Sequence, residues 1–128
     1  MKLEHIGYNV PDPAAMADWW AANLGFEIVL RGPAPQDCRF VRDSSGTMML
    51  ELYHNPADKP APDWASASPL DMHIAVWSDD VDADAARLVA AGATLLELAH
   101  KDDLSLAMLR DPWGVALQMI NRKSRLLA

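Results

Sequence analysis

Leu70-Asp71-Met72-His73-Ile74-Ala75-Val76-Trp77 alternates apolar residues with a second set that contains a histidine. A period of two marks a strand, and it turns His73 to the face opposite Met72, Ile74 and Val76. The same His-Ile pair recurs near the start, in Leu3-Glu4-His5-Ile6-Gly7-Tyr8-Asn9-Val10. Two strands of one kind, each opening one half of the chain, point to two copies of one unit.

The order of elements supports that reading. Pro11 and Asp12 stop the first strand (Leu3 to Val10), and Asp12 can cap a helix whose first turn holds Pro13. The helix is expected over about 13–24, with Met16, Trp20 and Leu24 on one face and Gly25 at a left-handed cap. Strands are expected at Phe26 to Leu30, Cys38 to Asp43 and Thr47 to Tyr53. Gly32, Pro33 and Pro35 mark a loop, and Asp43-Ser44-Ser45-Gly46 suits a type I turn. This is βαβββ. Asn55 to Pro69 is rich in proline and reads as a semi-rigid linker, with Trp64 either closing over a pocket or docking on the surface. The second half then repeats the plan: a strand Leu70 to Trp77, a capping cluster Ser78-Asp79-Asp80, and a helix over about 81–91 ended by Gly92. Strands follow at Thr94 to Leu98, Leu104 to Arg110 and Val115 to Asn121. Phe40-Val41-Arg42-Asp43 registers with Met108-Leu109-Arg110-Asp111, and Gly46 with Gly114. The expected fold class is α+β: two tandem βαβββ modules forming curved mixed sheets. One domain spans 1–128, with module one at about 1–55, the linker at about 56–69, module two at about 70–122 and a short basic tail.

Composition narrows the function classes. The chain has 128 residues, 51% hydrophobic and 23% charged, with a formal net charge of −7. That balance fits a globular protein and argues against nucleic acid as a partner. A lone cysteine, Cys38, excludes an internal disulfide framework and suits a reducing cytoplasm. The first residues lack the apolar run of a signal peptide, and no stretch reaches the roughly 20 apolar residues of a membrane helix. The expected setting is therefore cytoplasmic, with no membrane partner.

Strand alternation sorts side chains by face. Ile6, Tyr8 and Val10 share one face of the first strand, which leaves His5, Gly7 and Asn9 on the other. Met48, Leu50 and Leu52 oppose Met49, Glu51 and Tyr53. His73, Ala75 and Trp77 oppose Ile74 and Val76, and Leu117 and Met119 oppose Ala116, Gln118 and Ile120. The polar members facing away from the core are His5, Glu51, His73 and Gln118. Two imidazoles, a carboxylate and an amide oxygen are a donor set for a divalent ion: zinc, nickel, cobalt, iron or manganese. A single strand histidine is more commonly hydrogen-bonded or on the surface, and Glu51 alone would suit an outer face. The duplication lifts the set above that plainer account. Asn9, Met49, Tyr53 and Trp77 share the same faces and are candidate substrate contacts.

Leu-Glu-His-Ile-Gly at the start, Leu-Glu-Leu closing module one, Met-His-Ile-Ala opening module two and Arg-Asp-Pro-Trp-Gly-Val-Ala-Leu-Gln near the end resemble the vicinal oxygen chelate superfamily. That group includes glyoxalase I, methylmalonyl-CoA epimerase, extradiol dioxygenases and the fosfomycin- and bleomycin-resistance proteins. The resemblance covers about residues 3–122. It implies the glyoxalase/bleomycin-resistance/dioxygenase fold, a metal site at His5, Glu51, His73 and Gln118, and a homodimer. It also implies lyase or isomerase chemistry on a small substrate chelated through vicinal oxygens, with Glu51 as the catalytic carboxylate. Gln118 departs from the family, where glutamate is usual; an amide takes no proton near neutral pH. That departure disfavours a dioxygenase. The alternatives are a metal-free drug-binding protein, which the negative charge and five tryptophans would suit, or a member that keeps metal without turnover.

Overall fold

Strand β1 (His5–Asn9) gives way at Pro11 to helix α1 (Pro13–Leu24). The Asp12 carboxylate accepts from the Ala15 amide at 3.0 Å, which satisfies one of the orphan donors of the first turn. Gly25, at φ 71°, turns the chain off the helix in a conformation that costs glycine nothing. Strands β2 (Glu27–Arg31), β3 (Arg39–Arg42) and β4 (Met49–Tyr53) follow as an antiparallel run. β1 joins parallel to β4, so the sheet order is β1-β4-β3-β2. α1 lies against β2, β3 and β4 and buries Met16, Ala17 and Trp20 with Val10, Val41, Leu50 and Leu52. Each large side chain so buried contributes about 1.5–3 kcal/mol.

The second half builds the same sheet: β5 (Ile74–Trp77), α2 (Val81–Ala90), β6 (Thr94–Lys101), β7 (Leu104–Arg110) and β8 (Ala116–Arg122), in the order β5-β8-β7-β6. Asp80 caps α2 by accepting from the Ala83 amide at 3.0 Å. Val81, Ala85 and Leu88 face the sheet and complete a core with Leu109, Val115, Leu117 and Met119. The computed structural model describes residues 1–126, so the end of the basic tail lies outside the described residues. The chain divides into two compact units, Met1–Pro62 and Asp63–Ala128. No helix among the described residues is long and apolar enough to cross a membrane.

Most strand ends fall within two residues of expectation, and two boundaries differ by more. β5 begins at Ile74 rather than Leu70, so His73 stands just ahead of the strand, and Leu70 and Met72 are exposed instead of joining the core. The cause is the ladder: Ile74 pairs with Leu117, and before Ala116 the partner chain is the tight turn Asp111–Gly114, which offers no strand to pair with. The preceding residues turn instead, with the Asp71 amide on the Ser68 carbonyl at 3.0 Å. β6 runs on to Lys101, three residues past the expected end, because β7 pairs with it in register up to Lys101 and Leu104.

The proline-rich segment is not a free spacer. Its first part belongs to the first unit, where Asn9 donates to the Lys59 and Pro60 carbonyls at 3.1 and 3.3 Å. Its second part belongs to the second unit, where the Arg110 guanidinium donates to the carbonyls of Trp64 at 2.8 Å and Ala67 at 2.7 Å. Trp64 docks there, lining a small recess with Ala67, Met72 and Arg110.

Candidate functional site

Each sheet has one face under its helix and one open face, and the register places the candidate residues on the open ones. Gly7 pairs with Glu51 and Asn9 with Tyr53 across β1 and β4, so His5, Gly7, Asn9, Met49, Glu51 and Tyr53 share a face. In the second unit Ala75 pairs with Gln118 and Trp77 with Ile120. The duplication therefore holds at single-residue resolution: each histidine lies two positions before the residue that pairs with Glu51 or Gln118.

In the first unit, His5 Nε2 lies 3.4 Å from Glu51 Oε2. Its Nδ1 is hydrogen-bonded to the Glu4 carboxylate, and the edge of the ring meets Phe40 at 5.3 Å between centroids. A carboxylate only accepts, so Nδ1 carries a hydrogen. In the neutral ring the lone-pair nitrogen, Nε2, is then the atom 3.4 Å from a Glu51 oxygen. Two lone pairs at that range repel unless a cation stands with them. A proton is one such cation, and the Glu4 hydrogen bond, against a smaller loss from burial, raises the His5 pKa above 6.5, with the charges of Glu4 and Glu51 adding to it. A metal ion is the other. Donors about 2.0–2.1 Å from a tetrahedral ion stand about 3.3 Å apart, which matches the pair.

Gly7 makes room for this. A methyl group there would come within 3.3 Å of Tyr53 Cε1 and 3.4 Å of Glu51 Oε2. Cys38 completes the surroundings, its Sγ donating to Glu51 Oε1 at 3.4 Å. Burial, with help from that hydrogen bond, pushes the thiol up to about 11, so it stands protonated as a donor to Glu51.

In the second unit, His73 Nδ1 sits 2.8 Å from the Pro69 carbonyl. A carbonyl cannot donate, so Nδ1 is protonated and the neutral ring presents Nε2 as its lone-pair donor. This is the backbone partner that metal-binding histidines commonly have. His73 and Gln118 line one cleft of about 430 Å³, together with Trp77, Ile120, Arg122 and Arg125.

The structure thus brings His5 to Glu51, and His73 to the cleft of Gln118. Among the described residues, no group of three or more His, Cys, Asp or Glu side chains has the arrangement of a metal site. Of the expected substrate contacts, Met49 and Tyr53 are half-buried on the open face, while Trp77 lines the cleft with its indole N–H bonded to Asp79 at 2.8 Å. Asn9 turns its amide to the Lys59 and Pro60 carbonyls, so it also straps the chain. Phe40, Cys38, Arg122 and Arg125 were missed from sequence. Phe40 pairs with Glu51, and Arg122 follows Gln118 and Ile120 in alternation, so parity would have found both. Arg125 lies beyond the last strand and carries no periodic signal.

The pattern described as a glyoxalase-like domain matches residues 5–120. No curated protein matches the sequence. Among solved structures, the antibiotic-binding protein TnmS3 from Streptomyces sp. CB03234 is 22% identical, covering 96% of this chain and 97% of that one, with a TM-score of 0.72. A glyoxalase/bleomycin resistance protein/dioxygenase family enzyme from Burkholderia phytofirmans PsJN is 19% identical over 95% and 99%, with a TM-score of 0.75. A glyoxalase family protein from Bacillus cereus is 15% identical over 97% and 94%, at 0.72. These likenesses establish a shared fold.

Proposed function

The chain belongs to the family of glyoxalase-like domains, and we propose that it is a metal-dependent lyase or isomerase of the glyoxalase type. It would work as a cytoplasmic homodimer on a small molecule, moving a proton next to a carbonyl. His5, Glu51, His73 and Gln118 would be the donors for the divalent ion. Such an ion, when bound, supplies a Lewis acid for two neighbouring substrate oxygens.

The observation that carries this proposal is the His5–Glu51 pair, two metal-capable donors held 3.4 Å apart. His73, its tautomer set by the Pro69 carbonyl, would serve as a further donor. The other tasks fall to the chain's own groups. Glu51 is the proton carrier, because Gln118 has an amide that cannot take one. Cys38 orients Glu51 by donating to its second oxygen, and Gly7 leaves the space in which it swings. Met49 and Tyr53 on the first unit's open face, and Trp77 on the second's, would offer apolar surface against the substrate.

A second proposal has a specific support. The fold is shared with an antibiotic-binding protein, and no three-residue His, Cys, Asp or Glu cluster stands among the described residues. Binding without turnover would suit both facts, with or without a retained ion.

Solvent deuterium separates the two. Hemithioacetals and acyl-CoA thioesters are incubated with the metal-loaded protein in heavy water, and exchange at the carbon beside the carbonyl is followed by mass. The enzyme proposal expects exchange that falls about 10²–10⁴-fold in Glu51→Gln. Tight binding with no exchange by either protein would favour the binding role.

A further inference from the structure

The second unit's cleft contradicts the charge of the chain. The protein carries a formal net charge of −7, yet the ionisable side chains lining this cleft are Arg122, Arg125 and His73, with no carboxylate among them. We propose that the ligand of this face carries an anionic group, a carboxylate or a phosphate, gripped by Arg122 and Arg125. This deepens the proposed function by naming the substrate class and rests on that reading of the open face as the substrate side.

The structure supplies its own control for what a structural arginine looks like here. Arg110 spends its guanidinium on three backbone carbonyls, those of Trp64, Ala67 and Gly114, at 2.7–3.0 Å. Arg39 does the same with Gly32, Asp37 and Cys38. Arg122 differs. It stands at the end of β8 on the face of Gln118 and Ile120, and among the described residues it has no ion-pair partner. Arg125 is positioned without being consumed. Its guanidinium carbon stands 4.1 Å from the centre of the Trp77 ring, a cation–π distance. Asp79 Oδ1 accepts from the Trp77 indole and lies 3.7 Å from one Arg125 nitrogen, beyond hydrogen-bond range and 90% exposed. Most of the five guanidinium N–H groups therefore stay open to a ligand.

Forks of this kind match the two oxygens of a carboxylate or phosphate. Ala75, Ile120 and Leu126 supply apolar walls for the rest of the molecule. The volume of about 430 Å³ suits a small organic acid or phosphate ester. A cationic drug, the ligand that net charge alone would favour, meets two like charges here.

The test uses the full chain stripped of metal, so that its outcome does not depend on the metal site. Phenylacetate, phenyl phosphate and phenethylamine are titrated by calorimetry and tryptophan fluorescence. Both anions should bind and the amine should not. Arg122→Gln and Arg125→Gln should each weaken anion binding about tenfold or more, with partial recovery in Arg122→Lys. Tighter binding of phenyl phosphate assigns a phosphate ligand, and the reverse order a carboxylate. Equal or better binding of the amine, no binding of either anion, or glutamine variants that bind as wild type would each overturn the proposal. Arg125 lies in the exposed tail, so its variant keeps the test available should Arg122→Gln fail to fold by circular dichroism. An absent metal with intact anion binding would sink only the metalloenzyme proposal, and the converse only this one.

Discussion

The two units share a topology and a register, yet they are filled with different chemistry. Val10 and Met16, both fully buried in the first unit, stand where Ser78 and Asp84 stand in the second. There the Ser78 hydroxyl donates to Asp84 at 2.7 Å and Arg87 pairs with the same carboxylate at 2.9 Å. On the open faces, the first unit pairs an exposed glycine with a carboxylate, and the second pairs an alanine with an amide. What is common to both copies is what the fold requires: strand periods, caps and turn glycines. What differs is where function or local strain can reside, and Glu51 against Gln118 is the sharpest such difference.

The largest effect expected from this comparison lies in the duplicated turn glycines. Gly46 and Gly114 both have positive φ, 70° and 91°. A methyl group on Gly46 would meet nothing within 4 Å, whereas on Gly114 it would lie 2.6 Å from the Ala65 backbone nitrogen. Gly46→Ala should therefore cost only the left-handed penalty, about 1–2 kcal/mol. Gly114→Ala should add overpacking against main chain and cost about 2–5 kcal/mol in all. Urea unfolding of both variants measures the gap, and equal losses would show that the Ala65 segment yields freely.

A smaller effect separates the helices. Burial of Asp84 opposes its ionisation, but the Ser78 hydroxyl and Arg87 outweigh it and hold the carboxyl below its usual 3.8. A folded-state pKa below the unfolded one stabilises the fold above the unfolded value, and that contribution is lost as pH falls through the folded value. Acid should thus loosen α2 below about pH 4, while α1, with Met16 at that place, lacks this contribution. Amide exchange resolved along the chain reads this directly. Asp84→Asn should flatten the acid limb of α2 and leave α1 alone; an unchanged limb would remove Asp84 from the account.

Much of the fold was legible because its signals are local. The two His-Ile pairs, the Asp12 and Asp80 caps and the Asp43 and Asp111 turns all act over a few residues and recur in both halves. The repeat then gave the order and the faces. The errors came where a partner decides. β5 could not extend to Leu70 without a neighbour, and nothing within Leu70 to His73 reports that. Glu51 and His5 were expected on one face, but their approach depends on Gly7 and Cys38, whose roles are tertiary. The stacking of Arg125 on Trp77 joins the tail to a distant strand and leaves no pattern in the sequence.

The central claim is that the polar residues of the open faces hold a divalent ion. The direct measurement is elemental analysis of purified protein after equilibration with zinc, nickel, cobalt or manganese and removal of free ion. The wild type should retain near-stoichiometric metal, Glu51→Ala and His73→Ala should each lose most of it, and Gln118→Glu should retain it more tightly by adding a charged oxygen donor. Sub-stoichiometric metal in the wild type that no added ion can raise, or retention unchanged in both alanine variants, would contradict the account.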